Sequence, residues 1–236
     1  DESPGLYWRD ILFVIGFWMH YLFYPFFVLK TTLKLIRYSS LIYKYTPKAL
    51  LVHDEFSFTS SILTLFCEKH DVEHINVMHG EKLFYIRDSY FRFHRCYVWD
   101  KHYIDLFKSM NAYPNQFIIE LPINMKFEKQ HFYNDEFRAD YKYYLDSYGE
   151  DEIKSIIHSV EVLKGQGKVI KYRPHPTYSD IDILKKYVSE EEIEPPSVDI
   201  KISISSAGCV IGSYSTVMSQ AYFNGINVIL DDVTYR

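Results

Sequence analysis

Cysteine is scarce in this 236-residue chain. There are three, Cys67, Cys96 and Cys209, widely separated and with no CxxC pair. An odd, scattered set excludes a disulfide framework and a cysteine metal cluster, and predicts reduced thiols in a cytosolic setting. An excess of positive charge is missing too. The 26 Lys and Arg stand against 31 Asp and Glu, a formal net charge of -5. General nucleic-acid binders carry strongly basic surfaces, so no nucleic-acid partner is expected. No internal repeat at solenoid period, low-complexity tract or metal-ligand cluster is present. The chain opens without Met, and Arg236 closely follows a predicted strand, so both ends read as trimmed. What the chain has in quantity is apolar surface. It is 47% hydrophobic, enough for a sizeable core in one or two domains. The 22 Tyr and 17 Phe are heavily drawn to its first part.

The run at 11–29, ILFVIGFWMHYLFYPFFVL, approaches the length of a membrane span. It is aromatic rather than Leu-rich, and His20 and Pro25 interrupt it. Lys30, Lys34, Arg37, Lys44 and Lys48 follow, with no acid between Lys30 and Lys48. Basic residues after the apolar run exclude a signal peptide, where they come first. Three arrangements stay open: a buried helix pair under a sheet, an interfacial helix on anionic lipid, and a span. The expected location is the cytoplasm, with the inner face of the cell membrane as a candidate surface.

From Ala49 the pattern alternates. Strands are predicted at 49–54, 74–80, 96–100 and 116–122, with helices at 60–70 and 101–110 between them. The polar stretch 125–140 lacks periodicity and is placed as the boundary, giving domains 1–134 and 135–236. Alternation then restarts. Strands are predicted at 141–145, 168–172, 209–213 and 226–232, with a short strand end at 192–196. Helices are predicted at 152–164, 179–188 with Ser179 as N-cap, 198–207 and 214–225. Glycines after 164 and at Gly225 stop two of them. Repeated β-α alternation marks open, mostly parallel sheets. The predicted class is α/β, two Rossmann-like domains facing a central cleft. Ligands in such sheets bind beyond the carboxyl ends of the strands.

At one such end lies YRPHPTYSD, 172–180. Pro174 and Pro176 fix their own φ and bias Arg173 and His175 to extended backbone. The stiff turn aims one imidazole, which donates to phosphate or supplies a proton near neutral pH. Further on, CVIGSYSTVMSQA reads as strand, Gly, hydroxyls, helix. Ser213, Ser215 and Thr216 stand near a helix N-terminus, where free N–H groups and the dipole attract an anion. No Walker lysine is present, so a P-loop is excluded. Between the two motifs, Glu194 in EIEPP is placed to accept hydrogen bonds from a ribose if EIE ends a strand.

The HP pair, the following acid and the later Ser/Thr cluster resemble the motifs of bacterial sialyltransferases and polysialyltransferases of the GT-B type. Related arrangements occur in capsule Kdo transferases and teichoic-acid polymerases. The resemblance is best over 168–231. It implies that His175 contacts the donor phosphate, with Arg173 beside it. Glu194 would take the ribose, and Ser213, Ser215 and Thr216 the phosphate again. For the acceptor side, the sialyltransferases supply their base from an acidic pair followed by Gly. Asp54-Glu55 matches the acids, and Phe56 replaces the Gly. His79-Gly80 is similar to the teichoic-acid polymerase motif. Asp54 is therefore the first candidate base and His79 its rival, with Glu81, Lys82 and Arg87 near an anionic acceptor.

The implied enzyme is an inverting, metal-independent glycosyltransferase with no cofactor beyond its donor substrate. It moves a sugar from a nucleotide-sugar donor, CMP-sialic acid first among candidates, to a glycan or glycolipid acceptor. Alternatives are a CDP-glycerol or CDP-ribitol phosphotransferase, a nucleotide-sugar epimerase, and a non-catalytic membrane-associated assembly subunit.

Overall fold

A computed structural model of the chain describes residues 5–213 and 215–232. It divides into two compact units, Asp1–Leu121 and Pro122–Arg236.

The first unit carries strands β1 (Ala49–Val52), β2 (Glu73–Val77), β3 (Arg95–Val98) and β4 (Phe117–Ile119), all parallel and side by side in chain order. Its helices are α1 (Ile11–His20), α2 (Pro25–Tyr45), α3 (Ser60–Lys69) and α4 (Lys101–Ser109). The apolar run splits at 21–24, and Pro25 opens α2, where its fixed φ suits the first turn and its missing N–H costs nothing. One side of the α1–α2 pair is buried: Val14, Phe17 and Leu35 pack with Leu63 and Phe66 of α3. Among the described residues no helix is long and apolar enough to cross a membrane.

The second unit carries α5 (Lys129–Phe132), β5 (Ala139–Tyr144), α6 (Glu150–Gly165), β6 (Ile170–Arg173), α7 (Ile181–Leu184), α8 (Ile200–Ser205), β7 (Ala207–Gly212), α9 (Thr216–Phe223) and β8 (Asn227–Leu230). Its sheet is parallel in the order β6-β5-β7-β8. Both faces are covered, as a parallel sheet requires. Tyr143, Tyr172 and Ile211 pack on one face with Ile153, Ile156 and Val160 of α6. Tyr144 and Val210 pack on the other with Ile204, Met218 and Ala221. The chain runs outward from β5 to β6, then returns to β5's other side. The order therefore reverses between β5 and β7, which is the switch point where open α/β sheets bind ligands.

Three expectations need correction. The boundary placed in 125–140, giving domains 1–134 and 135–236, falls earlier, between Leu121 and Pro122, because Asn224 at the end of α9 clamps the polar stretch to the second unit. Asn224 Nδ2 donates to Met125 O (2.8 Å), and Phe127 N donates to Asn224 Oδ1 (2.8 Å). The helix expected at 179–188 is only α7, capped by Asp180, whose carboxylate accepts from Asp182 N. Ser179 is occupied elsewhere: it accepts from His175 N and donates to Asp146 O. The strand end at 192–196 reduces to one bridge, Tyr172 to Ile193. The predicted start of the last helix, 214, lies outside the described residues, and α9 runs from Thr216.

Candidate functional site

Register builds the site. Arg173 pairs with Tyr144, and Tyr144 with Gly212, so the three strands end in one row. The residues just past each strand share that edge: Pro174 and His175 after β6, Leu145 and Asp146 after β5, Ser213 after β7. They line a cavity of about 450 Å³, together with Tyr178, Ser215 and Thr216. Five of the sequence-predicted residues therefore meet in one place: Arg173, His175, Ser213, Ser215 and Thr216.

The imidazole of His175 is held by more than its prolines. Its Nδ1 accepts from the backbone N–H groups of Thr177 (3.1 Å) and Tyr178 (3.3 Å). The Tyr178 ring stacks on it at 4.5 Å between centroids. Because Nδ1 accepts, the neutral ring carries its proton on Nε2 as a donor. At the opposite wall Ser215 is the N-cap of α9, and its hydroxyl makes no capping bond. A helix start leaves backbone N–H groups without intrahelical carbonyl partners; in this first turn Met218 N donates to Ser215 O (3.0 Å).

Glu194 is the exception. It is fully buried and does not line the cavity. Its carboxylate is engaged by Lys142 Nζ (3.1 Å), Ser203 Oγ (2.9 Å) and, more loosely, Arg173 Nη1 (3.5 Å). It works inside the protein as a counter-ion, so the strand-end placement that would have brought it to a ribose is not what the chain adopts. Arg173 is tied down almost as firmly: its Nη2 donates to Val198 O at 2.6 Å. Burial pushes the Lys142 amine down to about 8, with Glu194 holding it up against that. Near neutral pH, then, Lys142 and Arg173 share one buried carboxylate, and of the two cations Arg173 lines the cavity. The carboxylate that does line the cavity is Asp146, which sequence reasoning missed. It lies two residues past the end of β5, and the only signal is an acid near a strand end, YYLD.

The two candidate bases lie in the first unit, beyond the carboxyl ends of β1 and β2. Asp54 is ion-paired with Lys34 of α2 (3.1 Å) and accepts no helix-capping bond. His79 is half-exposed, its Nδ1 3.3 Å from Glu55 Oε1. Glu55 is fully buried, ion-paired with Lys82 (2.7 Å), and accepts from Asn76 Nδ2 (3.0 Å). Burial alone would raise its carboxyl. The hydrogen bond and charge of Lys82, its own backbone and Asn76 outweigh that and hold it below the usual range. Lys82 is thus occupied by Glu55, and Glu81 accepts from Tyr103 (2.6 Å). Arg87 lies over the Phe56 and Tyr85 rings, beside Asp88. The acid pair HDE is legible as a strand-end feature, but which of its two acids faces inward is not. Among the described residues no three His, Cys, Asp or Glu are grouped to hold a metal ion.

No protein-family model matches the chain, and no curated protein does. Solved structures do. The S. aureus MnaA structure with UDP is similar over 86% of this chain and 63% of its own, at 12% identity and a TM-score of 0.53. A UDP-N-acetylglucosamine 2-epimerase from Rickettsia bellii aligns over 80% of this chain and 57% of its own, at 12% identity and a TM-score of 0.49. The fold is GT-B-like. Its two parallel four-stranded sheets are the two Rossmann-like domains. The chain spans less than two thirds of the length of either structure.

Proposed function

We propose that the chain is a sugar-nucleotide enzyme whose second unit holds the donor, and that it transfers the sugar to a surface-glycan acceptor with inversion. The observation that carries this is the cavity at the β5/β7 switch point. It joins a tautomer-fixed histidine, hydroxyls at a helix start and buried positive charge. The likeness to a structure that binds UDP supports a nucleotide there. In the proposed reaction a base takes the proton of an acceptor hydroxyl, whose oxygen bonds to the anomeric carbon. The bond from that carbon to the phosphate oxygen breaks, and the phosphate leaves with the electron pair. His175 Nε2–H, Ser213, Ser215 and Thr216 meet the growing charge; donors fixed in advance act most strongly where charge develops. Asp146, rather than Glu194, is assigned to the ribose hydroxyls. His79 backed by Glu55 is preferred as base to Asp54, because a carboxylate paired with Lys34 is the weaker proton acceptor.

Cytidine is favoured by the motif resemblance and uridine by the name of the similar structure. Calorimetric titration with CMP, CDP, UMP and UDP decides between them. Binding of one is expected, weakened about ten- to a hundredfold in His175→Ala, as loss of a hydrogen bond to a charged group implies. Thr216→Val should weaken it less. CMP preference supports sialyl-type transfer and CDP preference a glycerol or ribitol phosphotransferase. UDP preference calls for product analysis to separate transfer from epimerisation. A folded chain that binds none of the four sinks the donor-site assignment and leaves the non-catalytic subunit.

A further inference from the structure

The α1–α2 pair has a second side that the core does not use. On α1, Leu12, Ile15 and Met19 are exposed at helical spacing. The turn between the helices presents Leu22 and Phe23, the latter 89% exposed. On α2, Phe26, Leu29 and Leu33 are exposed along the same stripe as Lys30, Arg37 and Lys44. Lys30 sits over the Phe26 ring at 5.0 Å. Beside them Trp18 Nε1 donates to Thr32 Oγ1 (2.8 Å) at the edge of an apolar groove of about 290 Å³, floored by Val28 and Leu29. Soluble surfaces rarely expose so contiguous an apolar patch without a partner.

Charge selects the partner. No Asp or Glu occurs between Ile11 and His53, while five Lys and Arg do, four of them besides the Lys34 that pairs with Asp54, in a chain whose net charge is -5. The nearest acid before the stretch, Asp10, is fully buried and turned inward onto Ser39, Lys69 and His70. A second copy docked by two-fold symmetry would set this positive surface against itself. A bilayer surface rich in anionic lipid complements it, with the aromatic turn entering the headgroup region and the cations at the phosphates. We propose that the outer face of α1–α2 is an interfacial anchor that seats the protein on anionic membrane. The α1–α2 pair lies wholly in the first unit, so the proposal is independent of the nucleotide assigned to the second.

Co-sedimentation of the 236-residue chain with vesicles tests it, comparing phosphatidylglycerol mixed into phosphatidylcholine against phosphatidylcholine alone. Binding to the mixed vesicles is expected, weakening as salt rises. Phe23→Ser with Phe26→Ser, both exposed and therefore tolerated by the fold, should cut partitioning about tenfold or more. Lys30→Glu with Arg37→Glu should cut it at least as far, since each cation near an anionic surface is worth roughly fivefold. Unchanged circular dichroism confirms folding of each variant. No binding by the folded wild type overturns the anchor, as does equal binding to neutral vesicles. A dimer in sedimentation velocity that the Phe pair disperses, without vesicle binding, overturns it too and assigns the face to a second copy.

Discussion

Lys142 carries its charge where no solvent reaches it. In a strand reading YKYY a lysine would ordinarily be expected to face water. A parallel sheet covered on both sides leaves it no such face. Its amine instead meets Glu194 and donates to Ser203 O (2.9 Å). This explains why Glu194 is not where its spacing puts it: position along the chain fixes neither depth nor partner, and its partner is 52 positions earlier. The same pair gives a pH signature. The amine sits near 10.5 when solvated and is pushed down to about 8 in the fold. Below about pH 8 both forms are protonated and the cost of burial is present in full. Between about 8 and 10.5 the unfolded chain binds the proton that the folded chain has lost, so stability rises with pH. The shift corresponds to about 3 kcal/mol at 1.4 kcal/mol per unit. Tyr143, Tyr144 and Tyr172, held protonated chiefly by burial, act in the opposite sense above about pH 10. Lys142→Met isolates the lysine. Denaturant unfolding of wild type and variant from pH 7 to pH 10 should show the wild type gaining on the variant as pH rises. A difference flat with pH would refute a depressed lysine.

Elements are legible wherever the chain's local chemistry decides them. The alternation of apolar strands and amphipathic helices yields β1 to β8 in order, and Gly225 marks the end of α9 with φ +69°. Elements decided at long range are not legible. The stretch after Leu121 has no periodicity of its own, and its anchor, Asn224, lies 97 positions beyond Phe127. The competition of Asp180 with Ser179 for a cap is similarly invisible, because Ser179 is drawn to Asp146 by the turn that seats His175. Asn224 also donates to Gln220 O (2.7 Å), within its own helix, so one side chain ties α9 to the 125–127 backbone. Asn224→Ala removes both long-range bonds and leaves Met125 O and Phe127 N without that partner. A loss of about 2–4 kcal/mol is expected, from two half-buried bonds at the usual cost. Urea unfolding measures it, and faster limited proteolysis near 125–135 would place the loosening. A stability change below about 0.5 kcal/mol would mean that the clamp is ornamental.

At the scale of the whole molecule, the two βα halves follow from the alternation alone, but their strand orders do not. Nothing in the sequence distinguishes the in-line order of the first sheet from the β6-β5-β7-β8 order of the second. That difference matters, because only the reversal beside β5 opens a crevice between diverging loops. The cavity it creates is lined wholly by residues of the second unit. So is the machinery behind it: Lys142, Glu194, Ser203 and the α9 start all belong there, and both faces of that sheet have their own core. The piece 122–236, expressed alone, is therefore expected to fold with mixed α/β circular dichroism and to bind the same nucleotide as the full chain, within about threefold, since every residue lining the cavity is retained. On the proposed assignment of His79 as base, it should show no turnover. A folded piece that lost affinity by tenfold or more would place part of the nucleotide on the first unit. That would move the base or sugar contacts away from the β5/β7 edge while leaving the phosphate at His175, a division that His175→Ala in the full chain would then confirm.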